Sequence, residues 1–184
     1  MKIGVIGIGM LGEAMVLNLL NLGQDVAVYN RTKEKTMRVE NNGAKVMDSP
    51  KTVAENTELV IIVVKDAIAV REVSFGEKGI VESKNKKPII ADMSTIDAEE
   101  SKKIAEEFQR NDIKKIEVPV MGGPNVAITG KLVMMVSGPK SSFDYCKPIF
   151  EKIANKILFL GEQGIANSIK LAMNLQITML ALSL

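Results

Sequence analysis

This sequence predicts a doubly wound α/β fold built on a mainly parallel sheet. Three observations carry the prediction: short β-branched runs alternate with helix-length segments, most of those runs are continuously apolar, and a glycine cluster separates the first strand from the first helix. A strand covered by helices on both faces has no solvent side, so it reads as an unbroken apolar run rather than an alternation.

Taken in order, the strands are "KIGVI" (2–6), "DVAVYN" (25–30), "AKVM" (44–47), "LVIIVV" (59–64), "PIIADM" (88–93), "KIEVPV" (115–120), "LVMMV" (132–136) and "KILFL" (156–160). After the first strand, "LGEAMVLNLLNLG" keeps a helical period and closes on Gly23, a good C-terminal stop. Ser49 followed by Pro50 is a helix start, a capping hydroxyl before a residue with preset φ. "IDAEESKKIAEEFQRND" is a helix capped by Asp97, with acidic residues in its first turn. From Gly164 to Leu184 the pattern changes to one long helix. Its apolar residues (among them Ile169, Leu171, Leu175, Ile177, Met179, Leu180 and Leu182) occupy more than one stripe, so it needs partners on most sides.

Composition removes whole classes of function. A net charge of +2 over 184 residues is too small to argue for nucleic acid or an anionic membrane, so any cationic site must be local. One cysteine excludes an internal disulfide and fits a reducing, cytoplasmic setting; Cys146, in "SSFDYCKPIF", is expected on an apolar helix face. The absence of histidine removes the Ser-His-Asp triad and most zinc sites. Acid–base work therefore falls to Lys, a carboxylate or Tyr. Lys170, Asn174 and Gln176 interrupt the best candidate for a membrane span, and no cleavable signal pattern opens the chain, so no membrane association is expected.

"KIGVIGIGMLGEAMVLNL" places Gly7, Gly9 and Gly12 between a strand and a helix. In that context the glycines imply a Rossmann-type dinucleotide site: Gly7 for the tight turn, Gly9 for approach to a pyrophosphate, Gly12 for helix-on-strand packing. The second strand ends in "VYNRTKEK", where a carboxylate would normally hold the ribose of NAD. Asn30, Arg31 and Thr32 stand there instead, and Arg31 can pair with a 2′-phosphate, which favours NADP (NADPH) and leaves NAD possible. Tyr29 and Lys33 have the Y-x-x-x-K spacing of a short-chain dehydrogenase acid–base pair, but they lie where adenosine binds, and that reading is set aside.

Four segments in order, "GIGMLGEAMVLNL", "DMSTID", "VPVMGG" with "AITGKL", and "GEQGIANSIKLAMN", resemble the β-hydroxyacid dehydrogenase family, relatives of 3-hydroxyisobutyrate dehydrogenase and of the glyoxylate/succinic semialdehyde reductases. The likeness spans almost the whole chain. It implies that Met10 and Leu11 join the glycines at the cofactor, that Thr95 approaches its nicotinamide end, and that Val64 and Lys65 lie beside it. It implies that Lys170 is the general acid–base residue and that Gly122 and Gly123 bind a substrate carboxylate; Asn174, at i+4 on the same helix face as Lys170, can orient the ammonium or bind the substrate. Met121 stands where the family usually has serine, and a thioether cannot donate the hydrogen bond that a serine gives.

The resemblance further implies a dinucleotide-binding domain over 1–162 and, over 163–184, the start of the interdomain helix of a C-terminal helical domain that is otherwise absent. It implies a homo-oligomer, a dimer joined through helical elements, with no nucleic acid or metal. The expected function is NADPH-dependent reduction of a small carboxylate-bearing aldehyde, of the glyoxylate or succinic semialdehyde class, to the hydroxyacid. Two alternatives stay open: an NAD-linked 3-hydroxyisobutyrate-type dehydrogenase, and a non-catalytic dinucleotide-binding module.

Overall fold

The computed structural model describes residues 1–84 and 87–183. Six strands form one parallel sheet: β1 (Ile3–Ile6), β2 (Val26–Tyr29), β3 (Lys45–Val46), β4 (Leu59–Ile62), β5 (Ile89–Asp92) and β6 (Lys115–Glu117). Their order is β3-β2-β1-β4-β5-β6, so the chain starts in the middle and winds outward in both directions. Every crossover then returns through a helix, and a crevice opens at the carboxyl edge between β1 and β4, where the winding reverses.

The helices are α1 (Met10–Asn21), α2 (Met37–Asn41), α3 (Pro50–Asn56), α4 (Ala67–Phe75), α5 (Ala98–Arg110), α6 (Pro124–Ala127), α7 (Lys140–Ile153) and α8 (Ile165–Leu182). Strand alternation divides the core between two faces. Ile3 and Val5 of β1 with Leu59 and Ile61 of β4 join α1 and α7 in one cluster. Ile6 of β1 with Val60 and Ile62 of β4 join α3, α4 and α5 in the other, around Val53, Val70, Ile104 and Phe108. Both clusters consist of buried side chains, as continuous apolar strands require.

The strand expected over 115–120 is two strands. Pro119 has no N–H for a ladder, so the chain leaves the parallel sheet after Glu117 and re-enters as β7 (Val120–Met121). That strand pairs antiparallel with β8 (Leu132–Val136), which pairs in parallel with β9 (Ala154–Phe159), giving a separate three-stranded sheet. The strand read over 44–47 shortens to Lys45–Val46 at the edge of the main sheet.

A buried ion pair ties β5 to β6 within the parallel sheet. Lys115 and Asp92, both with fully buried side chains, stand 3.5 Å apart on neighbouring strands, and Lys115 Nζ donates to Ser101 Oγ at 2.9 Å. Burial pushes the Asp92 carboxyl above its ordinary range, against the pull of Lys115. Cys146 lies in the core on α7, its thiol pushed up to about 12 by desolvation, which makes it inert as a nucleophile.

Candidate functional site: a dinucleotide crevice beside a lysine-bearing helix

A cleft of about 560 Å³ opens at the carboxyl edge of the sheet, lined in part by Gly7, Gly9, Asn30, Arg31, Thr32, Val64 and Lys65. The glycines divide by role. A Cβ on Gly7 would overlap the Val63 carbonyl oxygen, and one on Gly12 would overlap the Gly7 carbonyl oxygen, so both are demanded by the chain's own packing. Gly7 also holds φ +103°, which favours glycine. Gly9 is different: a Cβ there meets nothing within 4 Å. Its bareness serves no internal contact and leaves the cleft open to a close-approaching group.

Gly9 is also the N-cap of α1, and it offers no side-chain cap to the helix. The first-turn N–H groups thus remain available to an anion, reinforced by the helix dipole. Met10 and Leu11 begin that turn, with Met10 well exposed. Glu13, the acidic residue of the turn, is drawn aside by Arg38 at 2.7 Å. Open glycine backbone, an uncapped helix and a cationic rim fit a dinucleotide pyrophosphate.

Asn30 does structural work that its position alone does not reveal. Its Oδ1 accepts from Ile8 N at 2.9 Å and its Nδ2 donates to Thr32 O at 2.7 Å. It ties the glycine loop to the end of β2, while the Arg31 guanidinium beside it is solvent-exposed and lies 3.5 Å from Glu72. Lys65 lines the same cleft and pairs with Asp66 at 3.2 Å. Asp66 caps α4 by accepting from Ala69 N, a bond that lowers its pKa below the ordinary carboxylate value. Val64 N donates to Ser94 Oγ, and Ser94 N to Asp92 Oδ1, so the ends of β4 and β5 are locked together immediately before Thr95. Thr95 is half-buried there and lies outside the residues lining the cleft.

Lys170 lies six residues into α8, partly buried, with its Nζ 3.0 Å from Met121 Sδ. Desolvation lowers its pKa from the ordinary value near 10.5. A thioether is a weak acceptor, so the ammonium keeps its proton-donating capacity for another group. Sequence reading gave Asn174 a possible part in orienting this ammonium; the contact the structure provides is Met121, and Asn174 is exposed one turn further on. Gly122 holds φ +121°, and a Cβ on it would crowd Leu132 and Val126, whereas Gly123 faces open space. Lys170 thus meets the glycine-pair loop through Met121, the residue that precedes it.

Three buried side chains not singled out by sequence reading fasten α8 in place. Glu117, fully buried, accepts from Gly164 N at 2.9 Å through one oxygen. Its other oxygen accepts from Ser137 Oγ at 2.7 Å and from Asn167 N at 3.4 Å. Ser137 Oγ in turn accepts from Ala166 N. A carboxylate so placed satisfies orphan donors and opposes the positive end of the helix dipole. Asn167, also fully buried, accepts from Ile96 N through Oδ1, joining α8 to the segment carrying Thr95. The sequence signal was present: an acid inside the apolar run "KIEVPV" must find donors when the strand is buried.

Beyond Lys170, α8 runs exposed on most sides, and its length and hydropathy alone reach those of a membrane span. Among the described residues no group of three or more acidic or cysteine side chains gathers as a metal site.

Comparison with known proteins identifies the fold and its nucleotide-binding family. Residues 2–161 match the family described as the NAD binding domain of 6-phosphogluconate dehydrogenase. The oxidoreductase YfjR of Bacillus subtilis is 35% identical over 175 residues, covering 95% of this chain and 61% of the relative. Glyoxylate/succinic semialdehyde reductase 1 of Arabidopsis thaliana is 34% identical over 175 residues, with the same two coverages of 95% and 61%. Among solved structures, the 3-hydroxyisobutyrate dehydrogenase of Mycobacterium tuberculosis with L-serine superposes with a TM-score of 0.89 at 22% identity, over 96% of this chain and 60% of that one. At that identity the likeness is one of fold. The chain therefore spans about three-fifths of the length of the relatives it matches.

Proposed function

The chain belongs to the family of the NAD binding domain of 6-phosphogluconate dehydrogenase, and on that premise we propose that it is the nucleotide-binding part of an NADPH-dependent reductase. Its substrate is a small aldehyde acid of the glyoxylate or succinic semialdehyde class, converted to the hydroxyacid. We assign residues 1–162 to the dinucleotide domain and 163–184 to the start of the interdomain helix of a C-terminal helical domain, which would cover the exposed apolar faces of α8. A cytoplasmic setting completes the proposal.

The observation that carries it is Lys170: a half-buried ammonium, unpaired by any carboxylate among the described residues, on a helix anchored by Glu117 beside the Gly122–Gly123 loop. The bound dinucleotide supplies a hydride for the carbonyl carbon. Lys170 Nζ stabilises the negative charge that develops on the carbonyl oxygen and then gives that oxygen its proton, becoming a neutral amine. Gly123 leaves room for the substrate's carboxylate near backbone N–H groups, and Gly9 with the uncapped start of α1 receives the pyrophosphate. Arg31 receives the 2′-phosphate.

The test is NADPH oxidation with glyoxylate and with succinic semialdehyde by the protein and by Lys170→Ala. Loss of a general acid lowers kcat by about 10²–10⁴-fold. Equal rates for the two proteins would remove Lys170 from the chemistry and the reductase assignment with it.

A further inference from the structure

Arg31, in the turn after β2, and Glu72, on α4, face each other across the crevice. Arg31 Nη1 lies 3.5 Å from Glu72 Oε2, and the two side chains are 73% and 57% exposed. A pair so solvated is loose, and either partner can re-aim without disturbing any core contact. Both line the cleft to which the proposed function assigns the dinucleotide.

The end of β2 lacks the carboxylate that ordinarily receives an adenosine ribose. It carries Asn30, Arg31 and Thr32, and the Asn30 amide is bonded to the glycine loop and to Thr32. The carboxylates lining the cleft among the described residues, Glu72 and Glu77, both come from the α4 side. Positive charge comes from Arg31 and Lys35 on the other wall, and from Lys65 and Lys78, which also line the cleft. An acid and a base thus confront each other where the two dinucleotides differ, at a 2′-hydroxyl or a 2′-phosphate.

We propose that Glu72 is a cofactor-selectivity residue, forming with Arg31 a two-position selector that lets this cleft take both phosphorylated and unphosphorylated dinucleotides. This rests on the dinucleotide reading of the cleft and deepens it. With an unphosphorylated dinucleotide, the Glu72 carboxylate accepts the ribose 2′-hydroxyl from the α4 side while still neutralised by Arg31. With a 2′-phosphate, the guanidinium turns to the dianion, where a bidentate contact is stronger than its exposed pairing with Glu72. Glu72 is then left unpaired beside a like charge. Its presence therefore disfavours NADPH and favours NADH, opposing Arg31.

The experiment measures equilibrium binding of NADPH and NADH through the fluorescence of their reduced nicotinamide. The proteins are the unaltered chain, Glu72→Gln and Arg31→Gln, each checked for an unchanged thermal melt. For Glu72→Gln, removal of one close like charge at an exposed site tightens NADPH by about 3–10-fold, and loss of an acceptor weakens NADH by a similar factor. The NADPH/NADH preference therefore moves by about tenfold or more. Arg31→Gln weakens NADPH by about tenfold and NADH by less than about threefold. Both dinucleotides bound with a ratio unchanged by Glu72→Gln would overturn the selector alone. Neither dinucleotide bound by the unaltered chain would overturn the proposed function, and the selector with it.

Discussion

Replacing Glu117 tests how the lysine-bearing helix is held. The carboxylate is fully buried and accepts three hydrogen bonds, from Gly164 N, Asn167 N and Ser137 Oγ. Glu117→Ala leaves two backbone donors and one hydroxyl facing a cavity. Each buried donor without a partner costs about 1–3 kcal/mol. Loss of the anion at a buried helix N-terminus adds up to about 2 kcal/mol. Some donors recover water in the space vacated, so the net loss is about 3–5 kcal/mol, read as a shift in urea midpoint at constant slope. Glu117→Gln keeps the shape and one acceptor oxygen for Gly164 N but surrenders the charge. It is expected to cost about 1–2 kcal/mol. The decisive readout is the order of the series, wild type above Gln above Ala. If Glu117→Ala lost less than about 1 kcal/mol, Glu117 would not be what fastens α8 to the sheet, and the reasoning from buried donors would be wrong.

Further outcomes follow from the same geometry. Gly9→Ala meets open space, so its thermal melt stays within about 2 °C of the parent, yet dinucleotide affinity falls tenfold or more, about the loss that blocking one close backbone approach produces. Gly12→Ala instead drives a methyl into the Gly7 carbonyl and lowers stability itself; calorimetry beside binding separates the two. For the reductase proposed above, the rate of aldehyde reduction declines as pH rises through the Lys170 pKa, because the ammonium is the proposed donor, while oxidation of the hydroxyacid, which needs the neutral amine, rises over the same interval. Desolvation places that interval below 10.5, and a midpoint of either pH–rate profile at or above that value would contradict it. Lys115→Ala strands the buried Asp92 carboxylate and costs about 3–5 kcal/mol by denaturant titration.

What sequence alone could determine was local. The apolar runs at 59–64 and 88–93 announced buried parallel strands, Ser49–Pro50 and Asp97 announced helix starts, and both caps form as hydrogen bonds to Thr52 N and to Glu99 N with Glu100 N. The glycine spacing after β1 announced the crevice, because turn chemistry and strand periodicity act over a few residues. Lys170 was visible for the same reason, as a cation on an apolar helix.

Only the tertiary structure could decide what those groups face. Glu117 and Gly164 are 47 residues apart, Lys170 and Met121 are 49, Arg31 and Glu72 are 41. Such pairs exist because the winding of the sheet brings distant chain ends to one edge, and no local pattern encodes which end arrives beside which. Pro119 shows the boundary. Its missing N–H could be read from the sequence, but only the fold showed that the break sends the chain into a second sheet and sets Met121 against the lysine.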